Sequence, residues 1–227
     1  MNKIVSRQCV AVVALSVVAI AGAAQTGQAQ SLPADASGQN ALATTTATSK
    51  TLPGTQEAQI NSYYCGPAAL RGAIRMRGIT SGSQSTLAAK LGTTTNGTAW
   101  GSHNMEKVFN QYLGYTFYVP AYVSYTATAT EKANYKRNLV NDITSNYPLI
   151  GAAKEVSGGP HLIGHPSNRN IDHWYTIRGY ANSGETTYYQ DSVHGASSIS
   201  WSGSVPAYSA MSSDTITRIN GGFGYIW

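Results

Sequence analysis

Cys65 opens a stretch with helical patterning (CGPAALRGAIRMR, residues 65–77), and a thiol in that position can do chemistry. A helix start presents unpaired N–H groups and partial positive charge, which favour thiolate over thiol. A neighbouring imidazole can lower the thiol pKa further and later hand a proton to a leaving group. The competing reading of a free cysteine is a small buried hydrophobe, which belongs in a helix interior rather than at its first residue.

Five histidines compete for the base. His103 falls in a helical stretch and reads as a surface residue. His161 and His165 are four apart, a spacing that suits a metal on a helix, but Gly158, Gly159, Pro160, Gly164 and Pro166 forbid a helix there;. They read as loop or groove residues. His194 follows a hairpin with no partner nearby. Only His173 begins a strand with a carboxylate, Asp191, on the strand that returns. The midpoint of 173 and 191 falls in the Asn182-Ser183-Gly184 turn, so a hairpin folded there sets the two roughly opposite on one face;. The expected bond is from His173 Nδ1–H to the Asp191 carboxylate. Asp172 adjoins His173 and must point to the other face.

These residues need elements to hold them. Helices are expected over 65–77, 83–91, 102–113 and 130–146, each with an apolar stripe and a Gly or Pro near its end;. Strands are expected over 115–123, 149–156, 173–180 and 186–193, with 199–201 and 216–219 as further candidates;. A Gly/Pro/Asn-rich loop fills 157–171, and Gly221-Gly222 reads as a turn. Helices first and strands second is the α+β pattern. The Tyr and Trp residues read as strand and core residues rather than a carbohydrate-binding face.

The stretch QINSYYCGPAAL, with Gln59 six residues before Cys65, resembles cysteine peptidase family 39 of the papain-like clan, as do DHWYTIRGY, YYQDS and the terminal GGFGYIW. That family includes the bacteriocin-leader-processing peptidases, and the likeness is to its stand-alone secreted branch. The resemblance implies a papain-like α+β fold, with a helical half carrying Cys65 and an antiparallel sheet carrying His173 and Asp191. It implies Cys65 as nucleophile, His173 as base and acid, Asp191 as its orienter and Gln59 as oxyanion donor. The chemistry of the residues agrees, since an amide N–H and the Cys65 backbone N–H can together bond a tetrahedral oxyanion. Tyr64 and Ser192 stand where the family often has an acidic residue and Pro.

The whole chain sets limits on this. It has 227 residues, 42% hydrophobic and only 11% charged, which argues against a coiled coil and against a charge-extended disordered chain;. Residues 1–29 read as an export signal: Lys3 and Arg7, an apolar run from Val10 to Ala24, then small residues;. The run is shorter than the roughly 20 residues of a membrane span. Of the 15 basic residues, Lys3 and Arg7 leave with the signal, so 13 face 10 acidic ones and no nucleic-acid partner is needed;. Cys9 leaves too, and a single remaining thiol cannot form an internal disulfide. Residues 30–55, rich in Ala, Ser, Thr and Gln, read as a flexible leader or pro-segment, and 56–227 as the domain.

The expectation is therefore a secreted thiol hydrolase that cuts peptide bonds. It takes a peptide or protein substrate, needs no cofactor or metal, and keeps no stable membrane association after signal cleavage. The rivals are acyl transfer or amidase action on cell-wall peptide, and a silent binding module of the same fold.

Overall fold

The structure is a computed structural model that describes residues 48–227; the expected signal and most of the expected leader lie outside the described residues. Among the latter, no helix is long and apolar enough to cross a membrane.

The elements in order are β1 (Lys50–Thr51), α1 (Cys65–Met76), α2 (Gln84–Leu91), α3 (Asn104–Leu113), β2 (Pro120–Tyr122), α4 (Ala129–Thr144), β3 (Leu149–Glu155), β4 (Ile171–Ala181), β5 (Thr186–Gln190), β6 (Tyr208–Ser212), α5 (Ser213–Ile219) and β7 (Gly224–Ile226). The strands form one antiparallel sheet in the order β2-β7-β3-β4-β5-β6. β4 outruns β3, and β1 pairs with its far end, Lys50 against Tyr180. The fold is α+β, as expected.

Helix starts and stops follow local chemistry. Ser83 caps α2 by accepting the Thr86 N–H, and Gly92 ends it in the left-handed conformation;. Thr128 and Glu131 form a reciprocal capping box on α4;. The sheet is buried on both faces because its side chains alternate. Trp174 joins Leu70, Ile74, Leu87, Met105 and Phe109 beneath α1–α3. Tyr175 and Ile177 join Tyr135, Leu139, Ile143, Ile216 and Ile219 beneath α4 and α5;. Each such side chain, fully buried, contributes about 1.5–3 kcal/mol.

Several expectations are corrected. Residues 50–52 belong to the domain rather than to a flexible leader: β1 joins the sheet, Leu52 is buried, and its N–H donates to the Arg178 carbonyl at 2.7 Å. Residues 216–219 lie in helix α5, capped by Ser212, and not in a strand. Residues 199–201 form turns. The strand expected from 115 is confined to 120–122, since Asn110 Oδ1 accepts the N–H groups of Phe117 and Tyr118 and takes them from any ladder. His103 is not in α3; it precedes the helix at φ 54°.

Candidate active site

α1 begins at Cys65 without a side-chain cap. Tyr64 occupies the N-cap position and makes no capping bond, no acidic residue lies in the first turn, and Pro67 has no N–H to satisfy;. The unpaired N–H groups and the positive helix end therefore act on Cys65 itself, which is buried but lines a cleft of about 380 Å³;. Gly66 lets the loop at 96–101 close on this end of the helix, because a Cβ there would clash with Thr98 Oγ1. The Thr98 carbonyl in turn accepts the Trp174 indole N–H at 2.9 Å, tying that loop to β4. Trp100, stacked on Trp174 with ring centroids 5.6 Å apart, gives the cleft an aromatic wall that Phe223 extends.

His173 stands in β4 opposite Ala153, and its Nε2 lies 2.9 Å from Asp191 Oδ1. The expected pairing is present, but through Nε2 and not Nδ1. Nδ1 is thereby left free of Asp191, and Cys65 lines the same cleft as His173. Burial works against a charged imidazole here. The Asp191 charge and bond, with Cys65, outweigh it and raise the His173 pKa well above the usual range;.

The register brings Asp191 there by a slightly different route from the one expected. Thr176 pairs with Gln190, with a bulge between Ile177 and Gly179. One further step would set residue 191 against Tyr175, two along β4 from His173 and so on the same face. β5 ends at Gln190 because Asp191 Oδ1 accepts the Val193 N–H at 2.9 Å and turns the chain;. Asp172, on the other face, is largely exposed, with Lys154 Nζ at 4.0 Å.

Gln59 is buried and firmly oriented. Its Oε1 accepts the Ser192 hydroxyl at 3.0 Å, its Nε2 donates to the Asn61 carbonyl at 2.8 Å, and its backbone N–H donates to the Ser192 carbonyl at 2.8 Å. One Nε2 hydrogen remains for another acceptor. Gln59 is not among the residues that line the cleft. It leads into Cys65 along the 59–64 segment, and Ser192 joins it to the Asp191 turn.

Sequence reasoning missed His165 and Glu155. Asp191 Oδ2 lies 3.1 Å from His165 Nε2, and His165 Nδ1 lies 2.8 Å from Glu155 Oε2, with both side chains of this second pair wholly enclosed. Glu155 Oε1 accepts the Leu162 N–H, and Trp201 packs edge-on against the His165 ring. Despite burial, the His165 and His173 contacts hold the Asp191 carboxyl far below the usual range. The one available signal was a carboxylate ending a strand that is apolar as far as Lys154, LIGAAKE. The ligand atoms of His165, His173 and Asp191 lie within 4.8 Å of one another. All three residues are committed to hydrogen bonds, so a metal would have to displace those bonds.

The other histidines hold structure. His161 sits between the carbonyls of Gly159 and Arg169, well apart in role from His165. His103 bonds Glu106 at 3.1 Å. His194, expected to lack a partner, has one: its Nδ1 lies 2.7 Å from the Val205 carbonyl.

No curated protein matches the chain. Among solved structures it is similar to a protein described as a C39-like peptidase from Bacillus anthracis, at 12% identity and TM-score 0.49, covering 78% of this chain and 96% of that one. It is also similar to the peptidase domain of Streptococcus ComA, a bifunctional ABC transporter of a quorum-sensing pathway, at 19% identity and TM-score 0.46, covering 77% and 97%. The family model described as the Peptidase C39-like family matches residues 52–215, a span that begins at the buried Leu52 and takes in Gln59, Cys65, His173 and Asp191, and the chain belongs to that family.

Proposed function

We propose that this chain is a secreted cysteine peptidase, exported by the signal at residues 1–29 and acting through an acyl-enzyme. The observation that carries this reading is that Cys65, at an uncapped helix start, and His173 line one cleft, with His173 bonded to the buried Asp191 carboxylate.

In the proposed cycle the Cys65 thiolate attacks the carbonyl carbon of a peptide bond held in the aromatic-walled cleft. The oxyanion of the tetrahedral intermediate takes the Cys65 backbone N–H and the free Nε2 hydrogen of Gln59. The His173 imidazolium gives its proton to the departing amine nitrogen, the C–N bond breaks, and a thioester remains on Cys65. His173, now neutral, takes a proton from water; the hydroxide attacks the thioester, releasing the carboxylic acid and restoring the thiolate. Asp191 keeps the imidazole oriented and stabilises its charged form throughout.

The test is mass spectrometry of peptide mixtures incubated with the mature protein and with Cys65→Ala. New termini from the native protein alone support the reading, and identical mixtures from both proteins overturn it. Native Cys65 should also be alkylated by iodoacetamide below pH 7; modification only after denaturation counts against a reactive thiolate.

A further inference from the structure

The turn at Gly221–Phe223 has a cavity on each side of it. Gly222 and Phe223 line the cleft that holds Cys65, whereas Gly221 lines a second cavity of about 380 Å³. Its lining includes Tyr125, Lys132, Lys154, Val156 and Arg218, three cations drawn from α4, β3 and α5, and no carboxylate.

The cations there are only loosely matched. Lys132 Nζ is 3.8 Å from Asp214, Lys154 Nζ is 4.0 Å from Asp172, and Arg218 is exposed with no ion pair among the described residues. Lys154 Nζ also lies 4.5 Å from the centre of the Phe223 ring, which sets its charge at the border between the two cavities. The glycine pair makes this border. A Cβ at Gly221 would meet the Arg218 and Tyr125 carbonyl oxygens, each at 2.9 Å. One at Gly222, where φ is +88°, would meet Tyr125 Cε1 at 2.6 Å and Lys154 Cδ at 2.9 Å. Only glycines let the turn lie flat against Tyr125 and Lys154 while leaving the cavity open.

We propose that this cavity is a subsite for an acidic side chain of the substrate peptide, and so a determinant of which peptides enter the cleft. The inference rests on the peptidase reading for its substrate, but not for its binding site. An extended peptide across Cys65 that crosses the Gly221–Phe223 turn would bring a Glu or Asp carboxylate to Lys132, Lys154 and Arg218. A free peptide C-terminus offers the same carboxylate chemistry, and amidated peptides separate the two sources.

The experiment uses Cys65→Ala mature protein and labelled, C-terminally amidated peptides in which one Glu is moved along the chain, each matched by a Gln peptide. Fluorescence anisotropy reads binding, and the native protein reads kcat/KM on the same set. At one position Glu should bind about 10–100-fold tighter than Gln, the range of hydrogen bonds to charged groups. The preference should shrink in high salt. Arg218→Glu, an exposed change, should abolish it, and Lys154→Gln should weaken it. Equal Glu and Gln binding at every position overturns the subsite, as does a preference that survives Arg218→Glu. A preference confined to free-acid peptides overturns the side-chain assignment. Cleavage without charge preference removes the subsite and leaves the peptidase reading intact; charge-selective binding without cleavage does the reverse.

Discussion

Replacement of His165 by Ala removes a cation that two buried carboxylates share. Its Nδ1 lies 2.8 Å from Glu155 and its Nε2 3.1 Å from Asp191. A neutral imidazole has one N–H, so only the imidazolium donates to both. Burial opposes that charge, yet the Asp191 and Glu155 bonds outweigh it and raise the His165 pKa. In His165→Ala, Glu155 and Asp191 keep their places at 1% exposure each and lose a shared partner. Breaking a buried ion pair from one side costs about 3–5 kcal/mol, a large share of the roughly 5–15 kcal/mol that holds a domain folded. Urea denaturation followed by circular dichroism, run from pH 5 to pH 9, measures the loss. The sign with pH is fixed by linkage. A histidine whose folded pKa is raised contributes fully below its unfolded value of about 6.5 and loses that contribution as pH rises through the folded value. Asp191, with a lowered pKa, contributes above about 3.9 and loses that only as pH falls through its folded value;. The gap between native and His165→Ala should therefore be widest near pH 5–6 and narrow toward alkaline pH, with His165→Gln, which keeps one donor, falling between them. A loss under about 1 kcal/mol at pH 6, the size of a single neutral hydrogen bond, or a gap that widens from pH 6 to pH 9, would refute the doubly donating imidazolium.

Three further outcomes are expected. Asp191→Ala should lower kcat/KM on a cleaved peptide by up to about 10⁴-fold, whereas Asp172→Ala, at an exposed position on the opposite face of β4 from His173, should change it little; steady-state kinetics compares the two. Gln59→Ala should reduce turnover by about two to three orders of magnitude while iodoacetamide still labels Cys65, because the amide acts on the intermediate and not on the thiol. Asp142 has a buried Oδ2 without a partner among the described residues, and burial pushes its pKa up to about 7. Its ionisation therefore costs stability as pH rises from about 4 through 7, and Asp142→Asn should raise the urea midpoint at pH 8 but not at pH 4.

What could be read from the sequence divides along a physical line. The helices α1 to α4 were legible because each carries its own punctuation: Gly66-Pro67 after Cys65, Ser83 before α2, Gly114 after α3 and Pro148 beyond α4. The β4–β5 hairpin was legible because its turn residues, Asn182 and Ser183, adopt positive φ;. β1, β6 and β7 were not, being short strands whose pairing is decided by partners far along the chain. α5 was misread as a strand because Ile216 and Ile219 are buried for tertiary reasons that a seven-residue window does not display.

The candidate site divides in the same way, and the difference explains why the pairing of His173 with Asp191 could be found but the groups behind it could not. A hairpin constrains residues on both arms through period-two alternation, so His173 and Asp191 remain on one face even though the bulge near Arg178 shifts the register that the turn alone suggests;. The ring nitrogen was a different matter. Which nitrogen meets Asp191 depends on how the ring turns about its own side-chain bonds in the folded site, which period-two alternation does not specify;. His165 has no such constraint along the chain. It sits in a loop whose Gly and Pro residues gave reason only to reject a helix, and its position comes from Glu155 at the end of β3, Asp191 after β5 and Trp201 beyond that. Three segments that converge only in the folded molecule fix it. Burying this much charge would destabilise the domain if any member were missing, so the two carboxylates and two imidazoles form one unit with Asp191 at its centre. The rigidity of that unit is what keeps the Asp191 carboxylate ionised and aimed at His173 Nε2.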